Sequence, residues 1–346
     1  MSLAERLLSL PLELEDCRLE PLSTRVPSGW TRHSTVVRLG GSGREGRGED
    51  VSYGAEEQLA IQAAGPPPIP TGRMSLGDFC SWVEGRDLFA EAPLQAAYRD
   101  YRLWAFQSAA LDLALRQSGL SIAAAVERRP RPLRFCASMG LGNPPSLARP
   151  RALREVHATL EFKLDAEPEW DDDFVGELRG LGGVSVVDLK GAYEGTVVDT
   201  PPDPALARRV ATLLPNAIIE DPHRTPEVLA ALEDHRERVS WDAPIHSLAD
   251  LEDLPFEPRV LNIKPSRLGS IERLFALYAH CESEGIETYG GGQFELGVGR
   301  LQIQRLAALF HPDGPNDTAP VSYNSPEITR DLPSSPLSTA VDGAGL

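Results

Sequence analysis

Residues 238–266 read RVSWDAPIHSLADLEDLPFEPRVLNIKPS. Two short apolar runs lie in this stretch, and each is closed by an ionisable residue, Asp242 after VSW and Lys264 after VLNI. Runs this short, flanked by Pro, Asp and Glu, read as buried strands rather than helices. The same form recurs in LRFCAS (133–138), ATLEFKLD (158–165), VSVVDLKG (184–191), AIIEDP (217–222) and IETYGGGQFE (286–295). Between the runs lie amphipathic segments, ALARRVATLL (205–214), PEVLAALEDH (226–235) and SIERLFALYAHCESEG (270–285). In the last, Ile271, Leu274, Phe275, Tyr278 and Cys281 repeat at helical spacing. Repeated strand–helix units imply parallel strands, and this many of them imply an α/β fold, a closed (β/α)-barrel, with an open doubly wound sheet as the competitor.

Upstream the pattern differs. Residues 12–53 read as strands and turns, Pro66–Pro70 (PPPIP) as a stiff spacer, and 93–118 as a helix that Gly119 can stop. The expected organisation is an α+β domain over 1–130 and a barrel over 131–320. The tail 321–346, rich in Pro, Ser, Thr and Gly, either returns to the first domain or stays mobile. Gly41-Ser42-Gly43-Arg44-Glu45-Gly46 fits the G-x-G-x-x-G spacing. A dinucleotide fingerprint must open a helix, whereas GRGEDVSYG beyond it reads as a strand, so a hairpin turn is expected.

The 346 residues carry a formal charge of −17. That balance argues against nucleic-acid and anionic membrane partners, which require a basic footprint. It does not argue against a small anionic substrate, because a local cation cluster overrides the global field. Cys17, Cys80, Cys136 and Cys281 show no C-x-x-C spacing. Free thiols in a reducing compartment are expected, and with no signal-peptide pattern at the N-terminus the expected location is cytoplasmic.

Of the 34 cationic residues only three are lysine, Lys163, Lys190 and Lys264; the other 31 are arginine. An amine can lose its proton and act as a base, whereas guanidinium does not. All three lysines fall at the ends of apolar runs, together with Asp165, Asp188, Glu220, Asp242 and Glu295. In a parallel barrel those ends form the active-site mouth. Successive intervals from Asp188 to Glu220, Asp242 and Lys264 are 32, 22 and 22 residues, about one strand–helix unit each. Three carboxylates on neighbouring strands make an oxygen-only set that suits a hard divalent cation. A single one of them would be read as a helix cap; the trio beside the lysines favours a metal-type site.

These strand-end residues, Asp188, Glu220 in IIEDP, Asp242 in SWDAP and Lys264 in LNIKPSRLGS, resemble the enolase superfamily. The likeness is to its muconate-lactonising branch, near o-succinylbenzoate synthases and N-succinylamino acid racemases. YGGGQFELGVGRLQIQRLAALF (289–310) is similar to that group's seventh-strand signature, and AFQSAALDLALRQSG (105–119) to the helix leading into its barrel. The resemblance implies a (β/α)7β TIM-type barrel with an N-terminal α+β capping domain. It further implies Mg2+, or Mn2+, held by Asp188, Glu220 and Asp242, with Lys264, Lys163 and Asp165 as the acid–base residues. The implied reaction is removal of the proton α to a substrate carboxylate through a metal-stabilised enediolate, by a lyase or isomerase that dehydrates, cycloisomerises or epimerises. Lys190, Glu295, Trp30 and Arg32 are expected to contact substrate.

The pattern breaks at three places. Where K-x-K is usual the chain has Lys163-Leu164-Asp165, where D-x-N is usual it has Asp188-Leu189-Lys190, and where D-E is usual it has Asp242-Ala243. Lys190 and Asp165 motivate the alternative of a catalytically silent or metal-free barrel binding a small anion. The expected partner is a small carboxylate, and a homo-oligomer is compatible with an enzyme of this kind.

Overall fold

The computed structural model describes residues 1–26, 29–193, 196, 198–339 and 343–346. The N-terminal part holds two antiparallel sheets. Strands β1 (Pro11–Leu14) and β5 (Gly72–Ser75) pair, and β2 (Asp16–Arg25), β3 (Thr31–Gly41) and β4 (Arg44–Asp50) form a meander. The glycine-rich motif is the β3–β4 hairpin turn, with Ser42 and Gly43 at φ 49° and 66°. Two positive φ values are what a two-residue turn between twisted strands needs. Gly46 of the motif, and Gly48 beyond it, serve packing. A Cβ on Gly46 would lie 2.3 Å from Ala109 O, and one on Gly48 2.1 Å from Ala105 O. The helix Tyr98–Gln117 therefore lies directly on the β4 backbone, and it stops before Gly119 at φ 67°.

Seven parallel strands follow, each hydrogen-bonded to the next in chain order: β6 (Cys136–Gly140), β7 (Glu161–Asp165), β8 (Val184–Asp188), β9 (Ile218–Glu220), β10 (Val239–Trp241), β11 (Val260–Ile263) and β12 (Glu287–Gly290). Between the two ends of this sheet runs a short segment: Asn316 bridges to Phe135 and Asp317 to Gly291, both in parallel sense. Asn316 holds it there, its Oδ1 accepting from Gly290 N at 2.6 Å and its Nδ2 donating to Arg134 O at 2.9 Å. The eighth strand of the expected barrel is thus reduced to two bridging residues. The capping domain and the parallel curled sheet with its helices are as the sequence implied.

Side chains alternate along each strand. Phe162, Leu164, Val187, Ile219, Val239, Trp241, Leu261 and Ile263 join the main core against the outer helices. The other set faces the barrel axis: a small apolar layer of Val186, Val260 and Tyr289 with Ile218 beside it, and polar residues beyond. The tail packs back on the body: Leu337 bridges Leu133, Gly345 bridges Ser121, and Leu346 N donates to Asp112 at 2.8 Å. The four cysteines are free. Among the described residues no helix is long and apolar enough to cross a membrane.

Candidate active site

The register sets the site. Asp165 pairs with Asp188, and Asp188 with Glu220, so three carboxylates stand level at the ends of β7, β8 and β9. Asp242 and Lys264 lie one residue past β10 and β11, two residues beyond the axis-facing Ser240 and Asn262. Strand alternation therefore brings all of them to one mouth. Asp188, Glu220, Asp242, Lys163 and Lys264 are buried.

Buried charges need partners, and here they find one another. Lys190 Nζ donates to Asp188 at 2.6 Å and lies 2.8 Å from Asp165. Lys163 Nζ pairs with Glu220 and lies 3.6 Å from Asp188 and 3.7 Å from Asp317. Lys264 Nζ pairs with Asp242 at 2.7 Å, and Arg267 Nε lies 3.2 Å from the same carboxylate. Glu220 also accepts from Asn262 Nδ2 at 3.0 Å and from the Tyr289 hydroxyl. In a ring of eight positions β7 and β11 are diametrically placed, so Lys163 and Lys264 enter the mouth from opposite sides.

The electrostatics divide the carboxylates. Burial works against ionised Asp188, but Lys190 and Lys163 hold it at about 2. Asp242 is likewise held low, against burial, by Arg267 and Lys264. Glu220 goes the other way. Burial, helped by Asp188 and Asp242, pushes it up to about 8 despite Lys163. Asp221 rises to about 7, chiefly through burial.

Among the described residues, one carboxylate oxygen from each of Asp188, Glu220 and Asp221 gathers within 4.8 Å of the others. Asp221 was not among the residues expected from the sequence, although it adjoins Glu220 in IIEDP. Its oxygens accept the backbone N–H groups of Asp242 (2.8 Å) and Ala243 (2.9 Å), so it orients the β10 end. Asp242 Oδ1 is buried and accepts no hydrogen bond, its one charged neighbour among the described residues being Arg267 Nε at 3.2 Å. A buried oxygen-only cluster of this kind fits a hard divalent cation.

Other expected residues stand apart from this network. Glu295 lies not at a strand end but in the loop after β12, where it accepts from Gln293 N at 2.7 Å and pairs with Arg300 at 3.2 Å. Arg32 is fully buried and donates to the carbonyls of Val51, Ser52, Gln293 and Phe294. From the same strand pair, Glu49 accepts the N–H groups of Leu296, Gly297 and Gly299. Together they tie the capping domain to the loop after β12. That loop places Phe294, at φ 59°, 6.2 Å from the ring of Trp30, and Trp30 lies 6.5 Å from Tyr53. Trp30 and Tyr53 are 41% and 40% exposed, and the Tyr53 hydroxyl lies within electrostatic reach of Lys190. Sequence reasoning missed Arg267, Tyr193, Asn262, Tyr289 and Asp317. Asn262 and Arg267 were signalled by their two- and three-residue offsets from Lys264; Tyr193 and Asp317 carried no such signal.

Models of a family described as Domain of unknown function (DUF8230) match the chain twice, the N-terminal domain over residues 5–125 and the C-terminal domain over 129–325. The chain belongs to this family. The DUF8230 chain is also similar to enolase-superfamily proteins, as its strand-end motifs implied. An N-succinylamino acid racemase from Amycolatopsis is 30% identical over 66% of this chain and 63% of its own length. An o-succinylbenzoate synthase from Pasteurella multocida is 28% identical over 34% of the chain and 37% of its own. An N-succinylamino acid racemase from Thermus thermophilus is 28% identical over 92% and 85%. The chain thus spans less than two thirds of the first two relatives. In fold it is similar to a muconate cycloisomerase from Pseudomonas fluorescens (TM-score 0.67, 20% identity, 97% of this chain and 95% of that one). It is similar too to a dipeptide epimerase from Methylococcus capsulatus complexed with Mg ion (TM-score 0.68, 16% identity, 90% and 91%).

Proposed function

We propose that this DUF8230 protein is a divalent-metal-dependent lyase or isomerase that removes the proton α to a small substrate's carboxylate. The observation that carries this reading is the convergence of Asp188, Glu220, Asp242 and all three lysines of the chain at one barrel mouth. Asp188, Glu220 and Asp242 hold the cation, Mg2+ or Mn2+, with Asp221 buttressing the strand that carries Asp242. When bound, the cation offsets the second negative charge that develops on the carboxylate as the α-proton leaves.

The chain's own residues supply the rest. Lys264 is the proton acceptor: it stands at the mouth just past β11, paired with Asp242, one of the carboxylates that would hold the cation. Lys163, on the opposite side and between Asp188 and Glu220, is favoured as an ammonium: burial works against the charge, but Glu220 and Asp188 raise its pKa. It stabilises negative charge rather than taking up a proton. Asp165, at the lip of β7, is the remaining acid–base group on that side. Trp30, Tyr53 and Phe294 form an open aromatic rim for the non-reacting part of the substrate. Arg32 and Glu295 act through the loop that carries Phe294. The racemase and synthase names of the relatives favour a carboxylate substrate.

A crystal soaked with Mn2+ tests the metal assignment by anomalous scattering. A peak among the Asp188, Glu220 and Asp242 carboxylates is expected. A peak elsewhere, or none at saturating Mn2+, would remove the basis of the proposal.

A further inference from the structure

The ammonium of Lys190 is held by two carboxylates at once. Its backbone N–H donates to Asp188 Oδ1 at 2.9 Å, and its Nζ to Asp188 Oδ2 at 2.6 Å. One residue thus engages both oxygens of the carboxylate that the metal reading needs. The tight return is possible because Lys190 adopts φ 56°, and the turn is fixed by Gly191 N donating to Asp221 O at 2.8 Å. The same Nζ lies 2.8 Å from Asp165 Oδ1 and 5.4 Å from the centre of the Tyr193 ring. It is thus shared between a buried carboxylate inside the mouth and a part-exposed one at its lip.

An ammonium and a divalent cation repel each other strongly at such distances, and they cannot both sit on Asp188 Oδ2. We infer that Lys190 is a tethered cation that holds Asp188 until the metal arrives, and that Asp165 is the berth that keeps its ammonium when the metal displaces it from Asp188. This rests on the metal site proposed above and adds to it a role for two residues. Metal affinity is set by the difference between the two ion pairs of Lys190. Removing the ammonium strengthens metal binding, whereas removing the berth weakens it. A merely structural ion-pair network predicts no such opposition of sign.

The test is titration of Mn2+ alone into the full chain, followed by calorimetry and by the paramagnetic signal of free Mn2+, with thermal unfolding run on every variant. Lys190→Met is expected to tighten Mn2+ binding by about tenfold or more. Asp165→Asn is expected to weaken it by about threefold or more, and to have no effect when combined with Lys190→Met. Unchanged or weaker binding by Lys190→Met overturns the inference while leaving the metal site standing. Should Lys190→Met fail to fold, Asp165→Asn decides alone: weaker binding supports the inference, and equal or tighter binding overturns it. Absence of Mn2+ binding in every folded protein of the series overturns this inference and the metal reading together.

Discussion

At the scale of single residues, the site is a set of opposed ionisation preferences. Asp188 is held charged by two ammonium groups, while Glu220, one strand away, is pushed up to about 8 mainly by burial. The consequence for stability follows from proton linkage. Glu220 binds its proton more tightly in the folded chain than at its ordinary value of 4.5. Its contribution is therefore fully present below about 4.5 and is lost as pH rises through about 8. Metal-free protein is expected to lose stability across that window, and Glu220→Gln to flatten the loss. Denaturant midpoints measured from pH 5 to pH 9 check this; an equal slope in both proteins would show that Glu220 is ionised throughout.

At the scale of elements, much was legible in the sequence. Strand ends were readable because an apolar run of four or so residues closed by a charge is too short for a buried helix and too apolar for a loop. The long helices were readable because their periodicity is unbroken. Two features were not. The eighth strand is two bridging residues pinned by the Asn316 side chain, too short to leave an alternating pattern. The axis-facing polar residues Ser240, Asn262 and Tyr289 interrupt strands that are otherwise apolar, and only the fold reveals that Asn262 and Tyr289 donate to Glu220 while Ser240 accepts from Tyr289. The glycine motif shows the reverse case. Its spacing matches a phosphate-binding fingerprint, yet Gly46, like Gly48 beyond the motif, is there because a helix backbone touches it. Gly48→Ala is accordingly expected to destabilise the chain by about 1–3 kcal/mol, as overpacking does. A urea midpoint unchanged from the wild type would mean that the helix Tyr98–Gln117 can draw back at little cost.

At the scale of the whole molecule, the capping domain and the barrel make one mouth. Arg32 and Glu49, from the same meander, grip the loop after β12 by its carbonyls and its N–H groups. Arg32 and Glu295, which the sequence marked as substrate contacts, are bonded to that loop, which carries Phe294 towards Trp30. Such inter-domain bonds are invisible in sequence because their partners lie some 250 residues away. The barrel contributes the charges and Phe294, the cap Trp30 and Tyr53. The chemistry proposed for that mouth is abstraction of a proton next to a carboxylate. Incubating a library of small carboxylates with the chain, Mg2+ and D2O, and following deuterium at the α-carbon by NMR, tests it most directly. Exchange is expected for at least one carboxylate, abolished by Lys264→Ala and by chelation of the metal. Exchange that survives Lys264→Ala, or none in the presence of bound Mg2+ across the library, would contradict it.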